Sequence, residues 1–267
     1  MTLSPTTTRA RVTPSVPVAA VVFAGYVVIV VGLMLASGVG YEDFFESADS
    51  TLRSAVLPLA AGAVWLIAFL VWARWDFVFR DARRLPMGAF LWALPVVMVL
   101  TLVLQLLGVD WSAFEPGHLL AVLAAAVLVG FTEETLFRGV ILRSLRQGDR
   151  SEAAVIGWLA LWFGGFHLTN LLLDEPGAVI QVVFAGLSGL AFYLARRGTS
   201  VLVAAMVLHG SWDFSTFLAG EHPGDGGLSS AANFLVAVVY PLAAVTLVVL
   251  LVRERKTPAR DALEPAA

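Results

Sequence analysis

The chain has 267 residues, of which 59% are hydrophobic and only 14% are charged. This content of charged residues is too low to cover the surface of a soluble domain of that length, so the composition predicts an integral membrane protein. Cysteine is absent, which excludes disulfide bonds, thiolate metal sites and a cysteine nucleophile. The formal net charge of −3 is small, and we expect no nucleic-acid partner.

Apolar runs long enough to cross a bilayer recur along the whole chain. A helix needs about 20 such residues to span a hydrocarbon core of about 30 Å. Eight runs meet this requirement: 17–38, 54–73, 87–109, 118–142, 153–173, 177–195, 200–219 and 230–252. The predicted fold class is therefore all-α, a polytopic membrane protein with about eight transmembrane helices. One membrane domain, 17–252, is expected between a disordered N-terminal tail, 1–16, and a solvated C-terminal tail, 253–267.

The basic residues predict the orientation of these helices. Sixteen of the seventeen lie before span 1, after span 8 or in alternate connections on the same side, and Arg53 lies on the other side. Because basic residues favour the cytoplasmic side, both termini are predicted in the cytoplasm, as an even number of spans requires. The preference for arginine over lysine is typical of a GC-rich genome, so we expect a bacterial cell-membrane protein.

Ionisable residues inside three of the predicted spans are the candidates for a functional site. Such residues cost about 2.5–3.5 kcal/mol on insertion scales and usually have a function. Span 4 has Glu133, Glu134 and Arg138, span 5 has His167 with Phe163 one turn before it, and span 7 has His209 and Asp213. Spans 1, 2, 3 and 8 have no comparable group, so these three spans are predicted to form the working part.

The spacing of these residues indicates hydrolytic chemistry. Glu134 and Arg138 are four residues apart and can pair, whereas Glu133 is rotated by about 100° and points elsewhere. A carboxylate in a dry site can act as a general base, so Glu133 is expected to activate water. Two histidines and a carboxylate are a common zinc set. Glu133, His167 and His209 could therefore hold zinc, and a metal-free mechanism is the alternative.

At these residues the chain resembles the CAAX-protease and bacteriocin-processing group of intramembrane proteases. That group has Glu-Glu-x-x-x-Arg, Phe-x-x-x-His and His-x-x-x-Asn or -Asp on separate spans. All three motifs occur here in order, within residues 115–215. The resemblance implies an intramembrane endopeptidase that acts on a membrane-associated peptide or protein. Asp213 departs from the Asn form of the third motif. Because an anionic aspartate cannot donate a hydrogen bond, it would bind a metal or orient His209.

Three other interpretations stay open at this point. The chain could be a non-catalytic scaffold or a bacteriocin-immunity factor on the same fold. It could be a rhomboid-like serine protease, because Gly-Leu-Ser-Gly places Ser188 in the span before His209. It could also be a transporter with a proton relay.

The catalytic cavity is expected between spans 4 to 7, facing the cytoplasm. From the predicted span ends, Glu133 lies about 13 Å and His167 about 21 Å from that side. The difference of about 8 Å predicts that helices 4 and 5 extend beyond the bilayer.

Overall fold

A computed structural model describes residues 10–173, 175–224 and 226–263. Within these residues, eight helices are long and apolar enough to cross a membrane, and no strand is present. They are α1 (Val16–Ser37), α2 (Ala48–Ala73), α3 (Ala89–Gly108), α4 (Pro116–Arg146), α5 (Glu152–Phe166, continued as a 3-10 helix over His167–Leu173), α6 (Ala178–Thr199), α7 (Leu202–Glu221) and α8 (Gly227–Arg253). The prediction of an all-α membrane protein with eight spans is confirmed.

Local sequence explains where several helices begin and end. Ser47 and Ser50 form a reciprocal capping box at the start of α2. Ser151 caps α5 by accepting a hydrogen bond from the Ala154 amide. Gly38 ends α1 in the left-handed conformation that glycine adopts without a steric cost. Each of these caps satisfies backbone groups that the helix itself leaves unpaired.

The connections gather at two ends of the bundle. We call the end with segments 10–15, 74–88, 147–151, 200–201 and 254–263 the basic end, and the end with segments 38–47, 109–115, 175–177 and 222–224 the acidic end. Backbone hydrogen bonds join segments within each end, such as the one from the Asp81 amide to the Ser200 carbonyl at 2.9 Å and the one from the Gly224 amide to the Gly108 carbonyl at 2.8 Å. Successive helices cross the bundle in opposite directions, so consecutive connections lie at opposite ends.

The chain outside the spans packs more closely than its composition suggested. In the N-terminal segment, residues 1–9 lie outside the described residues, while the Arg11 amide donates to the Ala73 carbonyl at 3.0 Å. In the C-terminal segment, Ala259 and Ala262 are fully buried, and the Ala259 amide donates to the Arg150 carbonyl at 3.0 Å. Part of this segment therefore packs on the chain around the start of α5, while Arg255, Lys256 and Arg260 stay exposed to solvent.

Helices α4 and α7 approach each other closely through glycine. A Cβ atom at Gly130 would lie 2.5 Å from the Met206 carbonyl oxygen and 2.9 Å from the Gly210 nitrogen. Real Cβ atoms do not come so close to backbone, so any larger side chain would push the helices apart. Small residues at membrane helix interfaces commonly serve this purpose.

Gly130→Ala is therefore expected to lower the melting temperature of the purified protein and its activity together. Overpacking of this kind costs about 1–3 kcal/mol, and separation of α4 from α7 would disturb the side chains that these helices carry. Gly32→Ala on α1 is the matched control, because no atom of the described residues lies within 4 Å of the new methyl group. Equal melting temperatures for the two variants would contradict the close approach.

Candidate active site

The sequence-predicted site residues meet in the interior of the bundle. A cavity of about 260 Å³ is lined by Glu133, Phe163, His167, His209 and Asp213 among mostly apolar neighbours. Glu134 and Arg138 lie directly behind it and are completely buried or nearly so, at 0% and 1% exposure. The three helices that carry the motifs, α4, α5 and α7, therefore contribute to one site, as expected.

Glu134 and Arg138 join three helices. Arg138 donates from Nη1 to Glu134 Oε1 at 2.7 Å and from Nη2 to the Gly189 carbonyl of α6 at 2.5 Å. The same Glu134 oxygen lies 2.8 Å from Nδ1 of His209 on α7. The sequence predicted the first of these contacts from the i,i+4 spacing. The contacts with α6 and α7 show that the Glu134–Arg138 pair positions these two helices relative to α4.

A widened turn lies at this point of α4. Residues Thr135–Ile141 form a π-helix between two α-helical segments. Such π-bulges are rare and occur frequently at functional sites. This one begins directly after Glu134 and includes Arg138, whose own carbonyl accepts a hydrogen bond from Arg196 of α6. The irregular turn is thus held from outside the helix by a buried guanidinium.

Glu133 is the carboxylate that faces the cavity without a partner. Its side chain is 8% exposed and takes part in none of the hydrogen bonds or ion pairs among the described residues, in contrast to Glu134. A buried carboxylate normally has a hydrogen-bonding partner. Because it borders the cavity, Glu133 is available to a water molecule or a substrate there.

His167 presents one ring nitrogen to the cavity. Its Nδ1 lies 2.9 Å from the Phe163 carbonyl oxygen, one turn earlier on α5. A carbonyl only accepts hydrogen bonds, so we infer that Nδ1 carries the proton and that Nε2 has the free lone pair. His167 lies where α5 changes into its 3-10 continuation. It can therefore accept a hydrogen bond from water through Nε2.

His209 is fixed on both ring edges and on one face. Its Nδ1 faces Glu134, its Nε2 lies 3.4 Å from Oδ2 of Asp213, and its ring stacks on Phe192 with centroids 4.1 Å apart. Asp213 keeps 18% of its side chain exposed. The contact with Asp213 fits a role in orienting His209, which the sequence named as one of two alternatives.

Phe163 contacts the other members of the site. Its ring lies edge-on to His209, with centroids 5.7 Å apart, and Arg138 lies over its face at 4.2 Å from the centroid. A guanidinium over an aromatic face is held by the quadrupole of the ring. Phe163 therefore packs against both Arg138 and His209.

The predicted zinc set does not fit this arrangement. Within the described residues, no group of three histidine, aspartate or glutamate side chains is placed to hold a metal ion. Both nitrogens of His209 face carboxylates, and Nδ1 of His167 faces a carbonyl. No step below uses a metal at Glu133, His167 and His209, and zinc binding stays a prediction that metal analysis of the purified protein can test.

The predicted Ser–His dyad is not formed. Ser188 donates from its hydroxyl to the Ala185 carbonyl at 3.1 Å, as serine commonly does within a helix. His209 directs both of its nitrogens to carboxylates instead. The Gly-x-Ser-Gly sequence serves close packing here, since a Cβ atom at Gly189 would lie 2.5 Å from Arg138 Nη2 and one at Gly186 would lie 3.2 Å from the Ala160 carbonyl oxygen of α5.

The depth mismatch disappears because the helix bounds differ from those predicted. Helix α4 ends at Arg146 and not at 142, and α5 begins at Glu152. Glu133 and His167 then lie about 20 Å and about 22 Å along their helices from the basic end. That α4 and α5 extend beyond the bilayer stays a prediction.

Sequence reasoning missed a group of uncharged polar side chains in the same cavity. Tyr41, Asn170 and Gln181 line it together. Asn170 donates to Gln181 Oε1 at 2.8 Å and to Tyr41 Oη at 3.3 Å, and Gln181 donates to Tyr41 Oη at 3.2 Å. The position of Asn170, three residues after His167, was the available signal, because i and i+3 share a side of a 3-10 helix.

Several of the arginines from which the orientation was predicted are buried inside the protein. Arg196 contacts Asp81 at 2.8 Å, Arg146 contacts Glu152 at 2.5 Å and Arg197 contacts Glu254 at 2.7 Å. We call this cluster the arginine network; its members are Arg143, Arg146, Arg196, Arg197, Asp81, Glu152 and Glu254. The network lies at the basic end. Its arginines can be buried there because acidic residues from other segments of the chain pair with them.

Comparison with known proteins gives one match. The family model described as Type II CAAX prenyl endopeptidase Rce1-like matches residues 115–215. The curated proteins gave no match, and the solved structures gave none. The matched segment runs from the start of α4 to α7 and contains all seven site residues. Residues 115–215 are thus similar to the domain of the Rce1-like type II CAAX prenyl endopeptidases, within a multi-pass membrane protein, and this similarity is consistent with the CAAX-protease and bacteriocin-processing family.

Proposed function

We propose that this protein is an intramembrane endopeptidase of the cell membrane, which hydrolyses a peptide bond of a membrane-associated peptide or protein. The observation that carries this proposal is that one cavity is lined both by Glu133, whose carboxylate has no partner among the described residues, and by His167, whose Nδ1 is occupied by the Phe163 carbonyl. The family match supports endopeptidase chemistry in general. A scaffold or an immunity factor would give this cavity and its unpaired carboxylate no role.

The proposed reaction begins with water between Glu133 and His167. Glu133 takes a proton from the water while Nε2 of His167 accepts the second hydrogen as a hydrogen bond and orients the molecule. The oxygen attacks the carbonyl carbon of the scissile peptide bond, and the carbonyl oxygen becomes an oxyanion. The proton held by Glu133 then passes to the departing amine as the carbon–nitrogen bond breaks.

His209 is the proposed donor to the oxyanion. Glu134 and Phe192 hold its ring in place, and its Nε2 edge lies at the cavity beside Asp213. A donor that is already oriented costs no reorganisation when charge develops. Arg138 is a positioning residue, since it fixes Glu134 and the backbone of α6.

Ser188→Ala tests the class of protease. With a fluorogenic peptide that carries a membrane anchor, the variant in proteoliposomes is expected to cleave at close to the wild-type rate. The reason is that the Ser188 hydroxyl bonds only its own helix among the described residues. A loss of activity as large as that from changing Glu133, with an unchanged melting temperature, would support the serine mechanism instead.

A further inference from the structure

The cavity extends from the catalytic side chains toward the acidic end. Beyond Asp213 on α7 it is lined by Thr216 and Phe217, and beyond His167 by Asn170. Tyr41 of segment 38–47 lines it as well. Thr216, Phe217 and Asn170 each lie closer to the acidic end than the catalytic residue on the same helix, and Tyr41 belongs to the acidic end itself. The cavity therefore connects the site with this end of the bundle.

Buried side chains separate the site from the basic end, and the surface pocket at that end, which reaches Asp81 and Arg143, is lined by none of the catalytic residues. Every residue from Thr132 to Arg146 on α4 and from Ser188 to Gly198 on α6 is buried. Arg138, Arg146 and Arg196 fill this region with exposures of 1% each. The arginine network thus lies between the basic end and Glu133, and these contacts favour entry from the acidic end over the cytoplasmic opening that the sequence predicted.

The charges that remain exposed distinguish the two faces of the membrane. At the basic end, exposed basic residues include Arg74, Arg83, Arg84, Arg255 and Lys256 even after the buried arginine network is set aside. At the acidic end, Arg53 is exposed beside Asp49, which it contacts at 2.7 Å. The positive-inside rule therefore places the basic end in the cytoplasm.

Segment 38–47 covers the cavity at the acidic end. Phe45 stacks on Phe217 with centroids 3.9 Å apart, and its carbonyl lies 2.8 Å from Nε2 of His118. The Tyr41 hydroxyl accepts hydrogen bonds from the Asn170 and Gln181 amides, which leaves its own hydrogen free to donate. The cover is thus held by a few contacts with α4, α5, α6 and α7.

We infer that the catalytic cavity is entered from the non-cytoplasmic face of the membrane, beneath segment 38–47. This inference rests on the proposed function in one respect, since it adds the side from which the substrate comes. The substrate is then a peptide segment on the outer side, such as the external portion of a membrane-anchored protein. It is threaded past the Tyr41, Asn170 and Gln181 side chains toward Glu133.

The absence of cysteine allows a direct test with single-cysteine variants. Thr216→Cys and Thr169→Cys report on two sides of the cavity. Glu115→Cys reports on the acidic end and Asp149→Cys, whose side chain is 97% exposed, on the basic end. Spheroplasts of an expressing bacterium are treated with a membrane-impermeant sulfonated maleimide. The cells are then lysed, and the thiols that have not reacted are labelled with a polyethylene-glycol maleimide and counted.

We expect external reagent to block the cysteines at 216, 169 and 115 and to leave the cysteine at 149 free. Inverted vesicles should give the opposite pattern. Blocking of 216 and 169 together with 149, and not with 115, would overturn the inference. Labelling requires no catalysis, so a protein that labels as expected but cleaves nothing would refute the proposed function and not the side of access.

Discussion

Replacing Glu133 by glutamine is expected to abolish peptide hydrolysis without unfolding the protein. The amide is nearly isosteric with the carboxylate but cannot take the proton from water, and loss of a general base lowers the rate by about 10²–10⁴-fold. The fold should tolerate the change because the Glu133 side chain makes no hydrogen bond or ion pair with the described residues. The measurement is kcat on the anchored fluorogenic peptide, together with the melting temperature.

Glu134→Gln is the matched control for this variant. Glu134 is adjacent in sequence but binds Arg138 and His209. Its replacement removes the charge partner of a buried guanidinium, and breaking such a pair costs about 3–5 kcal/mol. We expect activity and melting temperature to fall together. If Glu133→Gln instead melts as low as Glu134→Gln, or if it retains activity, the assignment of a catalytic role to Glu133 and a structural role to Glu134 is wrong.

The second large effect is expected from Asp81→Asn at the basic end. The Asp81 carboxylate is shared by Arg196 at 2.8 Å, Arg143 at 3.2 Å and Arg146 at 3.3 Å. Without it, three buried guanidiniums face one another with less compensating charge. Removal of one partner from a buried ion pair costs about 3–5 kcal/mol, so the melting temperature should fall by on the order of 10 °C.

Asp149→Asn is the control for Asp81→Asn. Asp149 also pairs with an arginine, Arg260 at 3.6 Å, but its side chain is 97% exposed. Exposed pairs contribute little, and no measurable shift is expected. The network explanation fails if the two variants change the melting temperature equally.

The same carboxylate predicts a dependence of stability on pH. Burial by itself raises the pKa of Asp81, but the guanidiniums of Arg196 and Arg146 outweigh it and hold the pKa below the usual range. A carboxyl with a lowered pKa in the folded state stabilises the protein above the unfolded value of about 3.9. This contribution is lost as the pH falls through the lowered folded pKa, and Asp81→Asn should lack it.

The sequence predicted the fold class, and it indicated the candidate site residues that the structure places around one cavity; both predictions have the same physical basis. Hydrocarbon requires runs of about 20 apolar residues, so the eight spans stand out in the chain. Charged groups inside such runs are costly, so Glu133, Glu134 and His209 also stand out. The spacing of Glu134 and Arg138 was sufficient to predict their ion pair, since contacts within a helix depend on sequence separation alone.

Only the tertiary structure decided which groups are partnered and where the cavity leads. The contacts from Glu134 to His209, from Arg138 to Gly189 and from Asp81 to Arg196 join residues 51 to 115 positions apart. No local pattern encodes such pairs, because they depend on how whole helices pack. From the sequence alone, the arginines of the basic end could not be divided into exposed residues and members of the buried network. That network lies on one side of the site, and the cavity extends from the site toward the acidic end.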